Sequence, residues 1–186
     1  MPNFTRNAII ASFLKLLEER PLNKITIKDI VEDCGINRNS FYYHFQDIPA
    51  LLGEIVSGEI DRIINQYPTV DNLAECVRIA AEFSITHRKA VLHVFNSVNR
   101  DIFENYMWRI CGYLVEVYMR PLCVKHKVSE SDKKVIVQFY KCEVFGQIIG
   151  WLDGGMKDDI IAVTVRLSEL RKGMIDELFT RCEKHS

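Results

Sequence analysis

A single glycine between two short helical patterns limits the fold of this chain more than any other feature. The run "TIKDIVEDCG" places apolar side chains on one face of about two turns of helix, and Gly35 supplies the left-handed residue that ends it. Beyond the turn, Asn37 is placed to cap a third helix, on which Phe41 and Phe45 share one face. We therefore expect two short helices that cross at a tight turn, the second held down by its two phenylalanines.

The rest of the chain is patterned as helix throughout. Five prolines and nine glycines interrupt 186 residues, and no stretch shows the sustained alternation of a strand. Thr26 followed by Asp29 is a capping-box pattern at the start of the second helix. Asp47 is placed to cap a fourth helix, with Pro49 in its first turn, that stops near Pro68. Further helices are predicted over residues 5–20, 72–84, 88–98, 101–126, 131–152 and 159–183.

The predicted fold class is all-α, in two parts. Residues 1–47 form an N-terminal three-helix helix-turn-helix domain, and residues 48–186 form a larger helical ligand-binding and dimerisation domain. The composition, 48% hydrophobic and 26% charged, is that of an ordinary globular protein. Six cysteines without a C-x-x-C pair favour reduced, mostly buried thiols over a disulfide framework.

The sequence gives little support for membrane association, catalysis or metal binding. The first ten residues lack the pattern of a signal peptide, and no uncharged apolar run approaches the roughly 20 residues of a membrane span. No nucleophile elbow, phosphate-binding loop or H-E-x-x-H motif occurs. His87 and His93 are six residues apart, so they do not share one helical face. We predict a cytoplasmic protein that is not an enzyme and binds no metal or cofactor.

Net charge does not by itself indicate a nucleic-acid partner. The whole chain carries a formal charge of −1, and the first 47 residues sum to zero, six basic side chains against six acidic ones. A DNA-binding function must therefore rest on where the charges lie.

The run "TIKDIVEDCGINRNSFYYHFQD", followed by "LL", resembles the N-terminal domain of TetR/AcrR-type transcriptional regulators. The resemblance covers about the first 50 residues: a capped helix, a small residue before the glycine, and a recognition helix that ends in aromatic residues and His-Phe. It implies a sequence-specific DNA-binding transcriptional regulator, a repressor released by a small-molecule effector. Such a protein binds a palindromic operator in double-stranded DNA as a homodimer.

Carried over residue by residue, the resemblance implies DNA contacts by eight side chains: Thr26, Lys28, Arg38, Asn39, Ser40, Tyr42, Tyr43 and His44. Their chemistry fits, because arginine can contact guanine and asparagine adenine through two hydrogen bonds each. The Ser40 and Tyr42 hydroxyls suit phosphate oxygens, and Tyr43 offers a flat apolar face to a thymine methyl or a sugar. His44 stays open between a DNA contact and a structural partner.

The chain departs from the family pattern at one position. Family members commonly place a lysine at the start of the fourth helix to contact a phosphate, where this chain has Ile48 and then Pro49. Backbone N–H groups there could still bind a phosphate. With the neutral N-terminal domain, this departure leaves open a non-DNA-binding or weakly binding co-regulator that acts through a protein partner. An enzyme is a third alternative, with no motif to support it.

The helix over residues 131–152 is apolar on two sides and needs burial on both. We predict that one side packs on the chain itself and that the other, with the last helix, forms a four-helix homodimer interface. The predicted interface residues are Val137, Tyr140, Val144, Ile148, Trp151, Val163, Leu167, Leu170 and Met174. A fully internal helix in a monomer is the alternative.

A mostly apolar cavity for an effector is predicted near the helix over residues 101–126. Aromatic walls and polar groups are combined there in Tyr106, Trp108, Arg109, Cys111 and Tyr113. At helical spacing such aromatic residues are also typical of a core. An effector in this cavity would act by favouring one spacing of the two DNA-binding domains.

Overall fold

The computed structural model describes residues 2–68 and 72–183, and every regular element within those ranges is a helix. The prediction of an all-α fold is confirmed. The α-helices are α1 (Pro2–Glu19), α2 (Ile27–Asp33), α3 (Arg38–His44), α4 (Ile48–Gln66), α5 (Leu73–Thr86), α6 (Arg88–Phe95), α7 (Arg100–Lys125), α8 (Glu130–Asp153), α9 (Ile160–Leu170) and α10 (Met174–Glu183). A single 3-10 turn, Leu22–Lys24, precedes α2.

The predicted caps of the second, third and fourth helices are confirmed. Thr26 and Asp29 form a capping box at α2: the Thr26 hydroxyl accepts from the Asp29 N–H at 3.2 Å, and the Asp29 carboxylate accepts from the Thr26 N–H at 2.8 Å. Asn37 caps α3 and Asp47 caps α4, each accepting from the backbone N–H three residues on, at N···O distances of 2.8 and 2.7 Å. These caps matter because helices as short as α2 and α3 are unstable on their own.

Glycines in the left-handed conformation end two helical segments. Gly35, with φ of +69°, separates α2 from α3 as predicted. The prediction of one unbroken helix over residues 159–183 is wrong, because residues 171–173 divide it into α9 and α10. Gly173 has φ of +87° at this break. A lone glycine costs a helix only about 1 kcal/mol relative to alanine, so helical periodicity did not reveal the interruption.

The chain forms two compact units, and the first comprises the described residues of Met1–Asp61 and Ser84–Tyr106. Within it, α1 packs against α2, α3 and α6. The buried Ser12 hydroxyl donates to the Ile30 carbonyl oxygen at 3.2 Å, which ties α1 to α2. The core of this unit includes Ile9, Phe13, Leu17, Ile30, Phe41, Phe45, Val91 and Phe95. The predicted boundary between residues 47 and 48 is a different division, between a DNA-binding part and a ligand-binding and dimerisation part. That boundary stays a prediction.

The second unit comprises the described residues of Arg62–Phe83 and Met107–Ser186. Its core includes Cys76, Ile79, Met107, Ile110, Leu114, Tyr140, Val144, Ile148 and Phe179, from α5, α7, α8 and α10. None of the described helices is both long and apolar enough to cross a membrane.

All six cysteines are free thiols. Cys76, Cys111 and Cys123 are buried, whereas Cys142 is exposed and the other two are partly exposed. The expectation of mostly buried thiols therefore holds for half of them. Burial raises the pKa of Cys76 to about 12, so this thiol stays protonated at neutral pH and behaves as a small apolar side chain.

Candidate nucleic-acid interface

Two phenylalanines hold α3 against the first unit. Phe41 is fully buried, and Phe45, at the C-cap of α3, is 3% exposed. Their ring centroids lie 5.9 Å apart. The next two side chains, Tyr42 and Tyr43, are 56% and 80% exposed. Neighbouring exposed tyrosines with an apolar ring and a polar tip are typical of a binding surface.

Arg38 and Asn39 share the exposed side of α3 with the two tyrosines, one turn nearer its N-terminus. In the part of the chain that the structure describes, Arg38 has no ion-pair or hydrogen-bond partner. Four of the other five basic side chains of residues 1–47 pair with carboxylates: Lys15 with Asp33 at 2.5 Å, Arg20 with Asp29 at 3.4 Å, Lys28 with Glu32 at 3.7 Å, and Arg6 with Glu54. The Arg38 guanidinium can therefore bind a new acceptor without breaking an ion pair.

Two hydroxyls that the sequence assigns to DNA contact also serve the helix caps. The Thr26 hydroxyl donates to the Asp29 carboxylate at 2.6 Å while it accepts from the Asp29 N–H. The Ser40 hydroxyl donates to Asn37 Oδ1 at 3.1 Å. A phosphate oxygen only accepts hydrogen bonds, so each hydroxyl would have to leave its present acceptor to donate to a phosphate.

Lys28 and His44 complete the predicted set. Lys28 is exposed on α2. The half-buried His44 ring meets the Tyr43 ring edge-on at a centroid distance of 5.0 Å and lies 6.3 Å from the Phe45 ring. These two ring contacts favour the structural alternative for His44.

The start of α4 is poorly suited to phosphate. Asp47 places a carboxylate there, which occupies the Ala50 N–H. Pro49 has no N–H, so only the Ile48 N–H is left at the first turn. The expectation that backbone N–H groups bind a phosphate at this helix start is therefore not supported.

The five residues predicted to contact a ligand differ in burial, and their role stays a prediction. Tyr106 and Cys111 are buried, Trp108 and Tyr113 are half-buried, and Arg109 is exposed. The Tyr113 hydroxyl donates to the Ile64 carbonyl oxygen at 3.1 Å. Lys141 Nζ lies over the Trp108 ring, 3.7 Å from the ring centroid. A cavity of about 190 Å³ lies elsewhere in the second unit, and none of the five lines it.

Sequence reasoning missed the residues that line this cavity, among them Tyr118, Glu143, Gln147, Thr164 and Arg171. A signal was present in the run "EVFGQIIG", where Glu143 and Gln147 are four residues apart next to the buried apolar stripe of α8. Polar side chains at the edge of a buried face are the usual polar groups of a ligand cavity. Among the described residues, no group of three or more His, Cys, Asp or Glu could hold a metal ion.

The predicted dimer residues fall into three groups by burial. Tyr140, Val144 and Ile148 are buried in the core of the second unit, and Val137, Trp151 and Leu167 are half-buried. Val163, Leu170 and Met174 are more than half exposed. The exposed side of α8 is instead a stripe of Val135, Phe139, Cys142, Gly146 and Gly150, which we call the α8 outer stripe. Apart from the nearby backbone of α8 and the adjoining residues, no described atom lies within 4 Å of the Cβ position at either glycine, so the stripe is open to another helix.

Two family models match the chain. A model described as bacterial regulatory proteins, tetR family, matches residues 9–55, which include α2 and α3. A model described as transcriptional regulator C-terminal region matches residues 71–173.

Among curated proteins, the HTH-type transcriptional regulator EthR of Mycobacterium tuberculosis is 39% identical over 59 residues, and EthR of Mycobacterium bovis gives the same values. The match covers 32% of this chain and spans about a quarter, 26%, of those relatives. The likeness is therefore local.

Solved structures share the fold over most of the chain. The dihydroxyacetone kinase operon activator DhaS has a TM-score of 0.68 at 16% identity, with 96% of each chain covered. The fatty acid degradation regulator FadR from Bacillus halodurans has a TM-score of 0.62 at 14% identity, covering 89% of this chain and 93% of that one.

Proposed function

Because this chain belongs to the TetR family of bacterial regulatory proteins, we propose that it is a sequence-specific DNA-binding transcriptional regulator. The observation that carries the proposal is the exposed face of α3, where Arg38 and Asn39 lie beside Tyr42 and Tyr43. The second helix of a helix-turn-helix enters the major groove with its N-terminal residues on the base edges. In this chain those residues are Arg38 and Asn39, whose side chains have no hydrogen-bond or ion-pair partner among the described residues.

Base recognition is assigned to the N-terminal half of α3. Arg38 contacts the O6 and N7 atoms of a guanine, and Asn39 contacts the N6 and N7 atoms of an adenine, because their side chains match those edges with two hydrogen bonds each. Tyr43, the more exposed tyrosine, lies against a thymine methyl or a sugar.

Phosphate contacts are assigned first to the Tyr42 hydroxyl. Thr26, Ser40 and Lys28 remain proposed contacts, and each gives up an internal hydrogen bond or ion pair to make one. His44 is also a proposed phosphate contact, and we expect it to be weaker because its ring already contacts the Tyr43 and Phe45 rings. With few free cations, the affinity should depend on salt less steeply than for a strongly basic DNA-binding domain.

Selection of bound sequences from a random pool of double-stranded DNA tests the proposal. We expect an enriched palindrome whose half-site centres are about 34–36 Å apart or a multiple of that distance. Arg38→Ala, selected in parallel, is expected to relax one position in each half-site. If no sequence is enriched while the folded chain binds a protein partner tightly, the co-regulator alternative replaces this proposal.

We propose that the regulator acts as a homodimer through the α8 outer stripe together with Val163, Leu167, Leu170 and Met174. Phe139, at 61% exposure, and Leu170 are large apolar side chains left uncovered by the chain itself. The open positions at Gly146 and Gly150 allow close approach of a second helix. Two copies of α8 and α9 would then form a four-helix interface.

We propose that the protein is a cytoplasmic repressor that a small-molecule effector releases from its operator. One structural neighbour is named an operon activator, so the direction of regulation needs its own test. A reporter gene placed behind the selected operator is expected to be silenced by this chain. Reporter expression that rises with the chain would make it an activator.

A further inference from the structure

Lys24 is a free cation at the start of the helix-turn-helix. It ends the 3-10 turn Leu22–Lys24 and lies two residues before Thr26, the N-cap of α2. Its side chain is exposed and has no hydrogen-bond or ion-pair partner among the described residues. This ammonium can therefore bind an external anion without losing an internal contact.

The backbone of Lys24 is held in place although its side chain is free. Leu22 and Ile25, close to it in sequence, are 4% and 5% exposed. The Lys24 N–H donates to the Pro21 carbonyl oxygen at 2.9 Å, and the Ile25 N–H donates to the Leu22 carbonyl oxygen at 3.1 Å. The ammonium is presented from a fixed point, so its binding orders only one side chain and no loop.

The carboxylates next to Lys24 in sequence are engaged by other cations. α2 carries three carboxylates, and each pairs with a cation other than Lys24: Asp29 with Arg20, Glu32 with Lys28 and Asp33 with Lys15. The zero net charge of residues 1–47 therefore includes two cations without a partner among the described residues, Lys24 before α2 and Arg38 after it. A nearby polyanion responds to the position of these charges and not to the sum.

The two free cations lie at opposite ends of α2, about one DNA groove apart. α2 has seven residues, so it is about 10 Å long. The major groove of B-DNA is about 12 Å wide, and the first helix of a helix-turn-helix crosses the DNA backbone while the second enters the groove. With Arg38 at the base edges, a cation one helix length away lies over the phosphates that border the groove.

Other groups of the first unit are less suited to a phosphate contact. Lys28 would have to leave its ion pair, and the Thr26 and Ser40 hydroxyls would have to leave their acceptors. The start of α4 carries a carboxylate, Asp47, that occupies an N–H there. Lys24 has no such cost, and a lysine ammonium binds phosphate as a point charge without demanding one geometry.

We propose that Lys24 binds a phosphate of the DNA backbone at the border of the major groove that α3 enters, and that it, and not Lys28, is the main lysine contact of the first unit. This inference rests on the proposed function and adds to it a residue that positions the domain on the duplex. Because the phosphates are alike at every base pair, Lys24 contributes affinity and orientation but no sequence preference.

The salt dependence of DNA binding tests the contact, because each neutralised phosphate steepens it. The affinity of the full chain and of Lys24→Gln is measured for the selected operator and for unrelated duplex DNA, between about 50 and 200 mM salt. For Lys24→Gln we expect the slope of log affinity against log salt to be smaller in magnitude by about 0.9 per half-site, with about tenfold weaker binding per half-site at the lowest salt. The loss should be similar on both DNAs.

Matched variants separate a contact from a general effect of charge. Lys89→Gln makes the same change of charge at an exposed position on α6 in the same unit, and its slope should equal that of the unaltered chain. Lys24→Arg keeps the charge and should restore the slope, whereas Lys28→Gln should change it less than Lys24→Gln. Lys24→Met keeps the apolar stem without the charge and decides in place of Lys24→Gln if that variant does not fold.

Four results overturn the proposal. They are a slope for Lys24→Gln equal to that of the unaltered chain or of Lys89→Gln, a loss confined to the operator, a larger effect in Lys28→Gln, and a failure of Lys24→Arg to restore the slope. A loss confined to the operator would make Lys24 a base contact.

The two proposals fail in different ways. If an operator is enriched and Lys24→Gln binds it with an unchanged slope, the regulator stands and the Lys24 contact falls. If no sequence is enriched but the chain binds any duplex with a slope that Lys24→Gln reduces, the phosphate contact stands and the sequence-specific regulator falls. If the unaltered chain binds no DNA, both fall.

Discussion

At the scale of the residue, Arg38 and Tyr42 should differ in what their loss does to DNA binding. Arg38→Ala removes a base contact, so we expect a cost of about 1–3 kcal/mol per half-site and relaxed preference at one base pair in each half. Arg38 has no ion pair among the described residues, so the fold should be unaffected. Binding to the selected operator and to its single-base variants measures both effects. Unchanged affinity and unchanged preference would remove Arg38 from the interface.

Tyr42→Phe keeps the ring and removes only the hydroxyl. We expect about 1 kcal/mol weaker binding per half-site, the typical net value of one hydrogen bond, and the same loss on every sequence. Competition between the operator and unrelated DNA, at several salt concentrations, measures it. A loss confined to the operator would mean that Tyr42 contacts a base.

At the scale of the element, the turn between α2 and α3 depends on Gly35. A Cβ there would meet no atom within 4 Å, so Gly35→Ala adds only the strain of a left-handed alanine, about 1–2 kcal/mol. Gly35→Asn is the matched control and should cost less, because asparagine tolerates this conformation better. Urea unfolding measures both. Equal stability of the alanine variant and the unaltered chain would contradict the expected strain.

The anchoring of α3 depends on Phe41. Its side chain is fully buried, so Phe41→Ala should destabilise the fold by roughly 3–5 kcal/mol, as truncation of a buried aromatic side chain does. Tyr43→Ala, at a highly exposed position on the same helix, is the control and should leave the unfolding midpoint nearly unchanged. Similar midpoints for both variants would show that Phe41 does not hold α3.

At the scale of the whole molecule, the homodimer should depend on the α8 outer stripe. Phe139→Glu places a charge in the proposed apolar interface, so we expect a monomer mass by light scattering at micromolar concentration. Val124→Glu, at a position 75% exposed in α7 and outside the proposed interface, is the control and should stay dimeric. A monomer mass for the unaltered chain would end the dimer proposal.

The sequence alone determined the helices and the turn of the helix-turn-helix, because their causes are local. The Thr26 and Asp29 capping box acts over three residues, and the left-handed Gly35 acts at one position. The burial of Phe41 and Phe45 followed from their shared helical face. These same local rules left Tyr42 and Tyr43 on the exposed face.

Only the tertiary structure decided which apolar stripe of α8 faces the chain's own core. Tyr140, Val144 and Ile148 are buried, while Phe139 is exposed, although both stripes are apolar in the sequence. A helix with two apolar sides shows that both need cover and not which neighbour covers each. The cavity beside Glu143 has the same origin, because its walls come from helices far apart in sequence. Which side chains fill space together, and where they fail to, depends on packing between elements that no local pattern contains.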